Sequence, residues 1–275
     1  MKSKIEMDEV NKEKMLAIAL AKPLFSDIRP KRFVSKMKTN QGVMGMLSKY
    51  GLGEDGLERK NPVIVAFGDS VTAGHFELFT ELLPDRDKFE GLCGEDYCYT
   101  AQDLEDVYHE RFRQKLHDKY KMTSVSCINS GIAGDDVESM KKRMYRDVIR
   151  YKPDLVIINA TLNWNINKGT VQDYEYNLKE IVQAIKSNTD ADIILMTPNM
   201  ALPTEKDINL QERVEVVRKI GISENVSIAD VYTIWEEVVN SGSKLEELLS
   251  NGINHPTIFG HEIMAIELMK LFEEE

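Results

Sequence analysis

The chain has 275 residues, enough for one substantial core, and its composition of 42% hydrophobic and 29% charged residues is that of a globular protein. Lys and Arg number 35 against 46 Asp and Glu, a net charge of -11, which disfavours nonspecific attraction to nucleic acid, anionic membranes or a polyanionic substrate. No apolar run reaches the ~18 residues of a membrane span and the charged N-terminus lacks a secretory apolar core, so the expected location is the cytoplasm.

Residues 1–60 read as an accessory extension ahead of a main domain over 61–275. A helix is expected around 8–21, where Val10, Met15, Ile18, Ala19 and Leu20 partly follow a 3.6-residue period, before Pro23 and Pro30 interrupt it. The piece from Phe33 to Leu52 suggests short strands or a lid, and Gly51, Gly53 and Gly56 mark a loop. The run Val63 to Phe67 has the β-branched, uninterrupted character of a strand buried on both faces, and it stops abruptly at Gly68-Asp69-Ser70. Residues 76–100 carry charge, Gly and aromatics without a period and read as an inserted loop. Helical spacing follows over 101–120, then a short strand over 123–128.

From there strand and helix alternate. Helices are expected over 135–150, 171–187, 205–219, 231–240 and 257–273, and strands over 154–159, 192–197 and 225–229. Such alternation, with apolar runs like Leu155 to Ile158 and Ile193 to Met196, predicts an α/β fold: a parallel sheet covered by helices on both faces, three layers deep. Cys93, Cys98 and Cys127 are an odd number without zinc-site spacing, so free thiols are expected and no metal.

Two places carry candidate chemistry. Ser70 stands where a strand ends, the rim on which open α/β sheets keep their sites, and a Ser hydroxyl becomes a nucleophile only when a base takes its proton. His255, in Asn251-Gly252-Ile253-Asn254-His255-Pro256, offers that base. Each has a plainer explanation: a serine before a helix is commonly only its N-cap, and an Asn past a strand is commonly only a turn former. What distinguishes this chain is four blocks in order: the strand with GDSVTAG at 63–74, INSGIAGDD at 128–136, DLVIINATLN at 154–163 and NGINHPTIFGH at 251–261. In these blocks it resembles the GDSL/SGNH family of serine esterases and acyl hydrolases.

The resemblance implies a flavodoxin-like α/β/α sandwich, no cofactor, and an acyl-enzyme route. It implies Ser70 as nucleophile, His255 as general base and then general acid, and an oxyanion hole from the Ser70 and Gly134 amides and the Asn163 side chain. Asp69 is assigned to holding the turn. The chain departs from the pattern at Thr161 and Trp164, which flank Asn163 where the family has Gly and Asp, and at Gly252, where it places the Asp that orients the histidine. Asn251 is the alternative orienter, through its side-chain oxygen. Expected substrates are small carboxylic esters, short-chain or acetyl, including acetylated carbohydrates. The alternatives are a binding module whose turnover has decayed, motivated by the three departures, and a lysophospholipase or thioesterase-type hydrolase. A dinucleotide-dependent oxidoreductase lacks the G-x-G-x-x-G after its first strand. A homo-oligomer is compatible with the sequence but not dictated by it.

Overall fold

The computed structural model describes residues 9–40, 61–79, 98–121, 124–203 and 209–273. In chain order its elements are α1 (Glu9–Ala21), α2 (Lys31–Thr39), β1 (Val63–Gly68), the one-turn helix α3 (Ser70–Ala73), β2 (His75–Phe79), β3 (Cys98–Gln102), α4 (Tyr108–Lys119), β4 (Ser126–Gly131), α5 (Val137–Asp147), β5 (Leu155–Asn159), α6 (Val171–Asn188), β6 (Asp192–Met196), α7 (Leu210–Ser223), β7 (Ser227–Ala229), α8 (Val231–Asn240) and α9 (Ile258–Lys270). Five strands pair in parallel in the order β4-β1-β5-β6-β7, and β2 pairs antiparallel with β3. This is the flavodoxin-like order with the hairpin set aside, and the strand order reverses at β1.

Alternation along each strand explains the layers. Ile64, Leu155, Ile157, Ile194 and Met196 face one way and pack with residues of α1, α2, α4, α8 and α9. Val65, Phe67, Val156, Ile158, Ile193 and Leu195 face the other way and pack with α5, α6 and α7. Both faces are therefore apolar, which is why these strands read as continuous hydrophobic runs. The register sets Gly68 opposite Gly131 on one side and Asn159 on the other, so the segments after β1, β4 and β5 leave the sheet on one rim. At Gly131 an added Cβ would lie 2.2 Å from the Ala73 nitrogen, so the absence of a side chain lets α3 lie directly on β4.

Several boundaries move. Residues 31–39 form α2 rather than strands or a lid, because Phe33 and Met37, one turn apart, bury a stripe while the lysines face outward; the rest of that piece, 41–52, lies outside the described residues, as does the boundary expected at 60. Within the expected loop at 76–100 and the start of the expected helix, 75–79 and 98–102 pair as a hairpin, and α4 begins only at Tyr108. β4 starts and ends three residues later than expected, continuing through polar Asn129 and Ser130 at the sheet edge.

The described part of the first sixty residues is built into the molecule. Met15, Ala19, Phe33 and Met37 are fully buried in the core with α8 and α9. Lys270, nearly buried and paired with Glu267, donates to the carbonyls of Ala19 (3.1 Å) and Lys22 (2.9 Å) at the end of α1. Arg29 donates to the Lys270 carbonyl at 2.9 Å. No described helix is long and apolar enough to cross a membrane.

Candidate active site

The turn after β1 is built by Asp69. As N-cap of α3 its Oδ1 accepts the Val71 N–H at 3.0 Å, which turns the chain sharply and leaves Ser70 at the first helical position, 6% exposed. Asp69 itself is fully buried, and burial pushes its carboxyl up to about 6, held back in part by the Val71 amide and by His255. α3 is a single turn that stops at Gly74, too short to carry a long helix dipole. On the far side, His255 Nε2 lies 2.9 Å from Ser70 Oγ, the geometry in which the hydroxyl donates to an imidazole.

The loop after β4 comes next. Gly134 has φ +75, a left-handed conformation that a side chain would strain, and no atom lies within 4 Å of where its Cβ would be: the residue faces open space. Asp136, not Asp135, caps α5, accepting the Ser139 N–H at 2.9 Å. Asp135 instead pairs with Arg143. That guanidinium also donates to the carbonyls of Ser130 (2.8 Å) and Gly68 (2.9 Å) and lies over the Phe67 ring, which ties the ends of β1 and β4 to the loop between β4 and α5.

Asn163 follows β5. Its Nδ2 donates to the Asp135 carbonyl at 3.0 Å, so one amide hydrogen fixes the side chain beside Gly134 while the other is free of that bond. The two departures flanking it are absorbed into the fold. Thr161 is buried with its hydroxyl 2.8 Å from the Tyr174 hydroxyl, and Trp164 is buried with Nε1 donating to the Thr170 carbonyl at 3.0 Å.

Asn251 acts on the backbone of the His255 loop. Its Oδ1 accepts the N–H groups of Ile253 (2.9 Å), Asn254 (2.9 Å) and His255 (3.0 Å), and its Nδ2 donates to Asn254 Oδ1. Gly252 brings no carboxylate. The structure thus brings Ser70 and His255 into contact, sets Asn163 beside the Gly134 loop, and ties Asn251 to the main chain of His255.

Other histidines divide clearly. His75 lies edge-on to His255 with ring centroids 6.1 Å apart, a proximity nothing in the sequence announced. His109 is buried; its Nε2–H donates to the Thr72 carbonyl at 3.0 Å, and burial pushes the imidazole down to about 4. Cys127 donates toward His109 Nδ1 at 3.6 Å and is a free thiol pushed up to about 12 by burial; Cys93 lies outside the described residues. His261 is fully buried, accepts the Tyr108 N–H at Nδ1, and is held well below the usual imidazole range by burial. No cluster of three or more His, Cys, Asp or Glu among the described residues could hold a metal ion.

A nucleophile candidate, an imidazole and an Asn amide gathered on one rim of a parallel sheet define the class, and the sequence agrees: residues 66–263 match the GDSL-like Lipase/Acylhydrolase family. The chain belongs to that family and is an esterase/acylhydrolase. Among solved structures it is similar to an acetylxylan esterase from Geobacillus stearothermophilus, with 23% identity and a TM-score of 0.59 over 78% of this chain and 95% of that one. It is also similar to a lipase/acylhydrolase from Enterococcus faecalis, with 23% identity and a TM-score of 0.56 over 76% and 95% of the two chains. A chain from Parabacteroides merdae described as a GDSL-like lipase aligns at 21% identity and a TM-score of 0.62, over 78% and 96%. At these identities the likeness is one of fold. Compared with curated proteins, the sequence matches none.

Proposed function

We propose that the protein hydrolyses small carboxylic esters through an acyl-enzyme formed on Ser70. His255 takes the Ser70 proton as Oγ attacks the ester carbonyl carbon, and the carbonyl oxygen becomes an oxyanion facing the Ser70 and Gly134 amides and the Asn163 side chain. Collapse breaks the bond to the alcohol, which leaves with the proton from His255. A water molecule, deprotonated by the same imidazole, then attacks the acyl-enzyme and releases the carboxylic acid and Ser70. The observation that carries this reading is the 2.9 Å contact between His255 Nε2 and Ser70 Oγ. Asn163, tied to Asp135 beside Gly134, supports the oxyanion assignment.

For the substrate we favour short acyl groups, acetyl above all, on a carbohydrate or other small alcohol. The fold likeness to an acetylxylan esterase supports this, as does a net charge that disfavours anionic lipid surfaces. The test is turnover of p-nitrophenyl esters from acetate to decanoate, release of acetate from acetylated xylo-oligosaccharides, and labelling by a fluorophosphonate. Wild type should be labelled and prefer acetate, Ser70→Ala should abolish both signals, and His255→Ala should cut both to a small measurable residue. An unlabelled wild type, or a Ser70→Ala variant that still turns over, refutes the mechanism; a preference for decanoate refutes the substrate class.

A further inference from the structure

We infer that Asn199 is a positioning residue for the proposed base, an inference that rests on the Ser70–His255 mechanism above. It belongs to none of the four blocks and follows β6 at the end of the run Met196-Thr197-Pro198-Asn199. Its side chain is completely buried. Both amide hydrogens are engaged, one with the carbonyl of Met200 at 2.9 Å and one with the carbonyl of Asn254 at 2.8 Å, while Oδ1 is buried with no partner among the described residues. Burying an acceptor unmet is costly, so this side chain is kept in place for what its two donors do.

What they do is set the peptide that carries His255. The Asn254 carbonyl belongs to the peptide bond whose nitrogen is that of His255, and holding that oxygen fixes the plane from which the imidazole projects. A second bond runs in parallel: Leu202 N–H donates to the Ile253 carbonyl at 2.8 Å. Inside the loop, Asn251 grips the N–H groups of residues 253 to 255. The loop is thus held on its donors by Asn251 and on its acceptors by the segment after β6. Ser70 stands at the end of β1, two strands from β6 in the same sheet. Asn199 therefore refers the base to the rigid element that also carries the nucleophile, and a proton transfer across 2.9 Å tolerates little drift.

The experiment measures kcat and KM for p-nitrophenyl acetate, per mole of folded protein, in wild type, Asn199→Ala, His255→Ala and the double variant. Asn199→Ala should lower kcat about 10- to 100-fold with KM within about threefold, since a misplaced base slows chemistry more than binding. In the His255→Ala background the same substitution should change nothing, because its effect passes through the imidazole. Unchanged kcat in Asn199→Ala overturns the inference and leaves the mechanism standing, and so does an equal loss in both backgrounds, which marks a purely structural role. Wild-type activity in His255→Ala overturns the mechanism and this inference with it. If Asn199→Ala does not fold, Asn199→Leu keeps the volume, removes both donors and carries the same expectations.

Discussion

Replacing Arg143 with Met tests whether the rim of the sheet is held electrostatically. Arg143 and Asp135 have side chains only 8% and 11% exposed, so the substitution leaves a nearly buried carboxylate without its cation. Breaking such a pair from one side costs about 3–5 kcal/mol. The other losses are smaller: the Gly68 carbonyl still accepts the Ile132 N–H at 3.1 Å, and Asp147 still pairs with Arg146. The residual exposure of Asp135 favours the lower end, so Arg143→Met should cost about 3 kcal/mol and lower the melting temperature by roughly 6–12 °C. Because the Asp135 carbonyl also holds the Asn163 amide, kcat should fall with stability. Arg143→Lys keeps the charge without the planar fork and should lose about half as much. Urea denaturation followed by far-ultraviolet circular dichroism reads the stability, and a loss below about 1 kcal/mol for Arg143→Met refutes the reasoning.

Removing the Asn163 amide with Asn163→Ala should lower kcat about 100-fold or more; turnover within threefold of wild type removes it from the oxyanion hole. Met15→Ala and Phe33→Ala should each cost about 2–5 kcal/mol, as core truncations do, and a loss below 1 kcal/mol in denaturant would place α1 and α2 outside the cooperative unit. His109 titrates near 4 when folded against 6.5 when unfolded, so the unfolded chain binds the extra proton and about 3 kcal/mol is lost as pH falls from 6.5 to 4. Asp69 runs the other way: with its pKa raised from 3.8 to about 6, the folded state holds the proton, and stability is lost as pH rises through that window. Asp69→Asn should therefore make the acid loss about 2 kcal/mol steeper, measured as unfolding free energy from pH 7 to pH 4; an unchanged slope refutes the assignment of Asp69 as a buried, costly carboxylate.

The sheet was readable because β1, β5 and β6 are buried on both faces and so appear as unbroken apolar runs. α2 was not, since nine residues with two fully buried side chains among four Lys and Arg give too little pattern between prolines. The β2–β3 hairpin escaped because its partners are separated by charged residues without alternation. At the site, Ser70, His255, Gly134 and Asn163 were named from motif blocks. Arg143 and Asn199 were invisible because their partners include backbone carbonyls far along the chain, which no residue type encodes. Asp136 rather than the adjacent Asp135 takes the capping position of α5, which leaves Asp135 as the counter-ion of Arg143.

The Lys270 bonds to the end of α1 join residues 251 and 248 positions apart. Residues 9–21 leave the ribosome long before 231–240 and 258–270, so through most of synthesis α1 lacks α8 and α9, the helices it packs against. Closing so long a loop is a late and slow event. Until both helices are made, the side of α1 that carries Met15 and Ala19 has nothing to cover it, and uncovered apolar surface of this kind is where association between nascent chains starts.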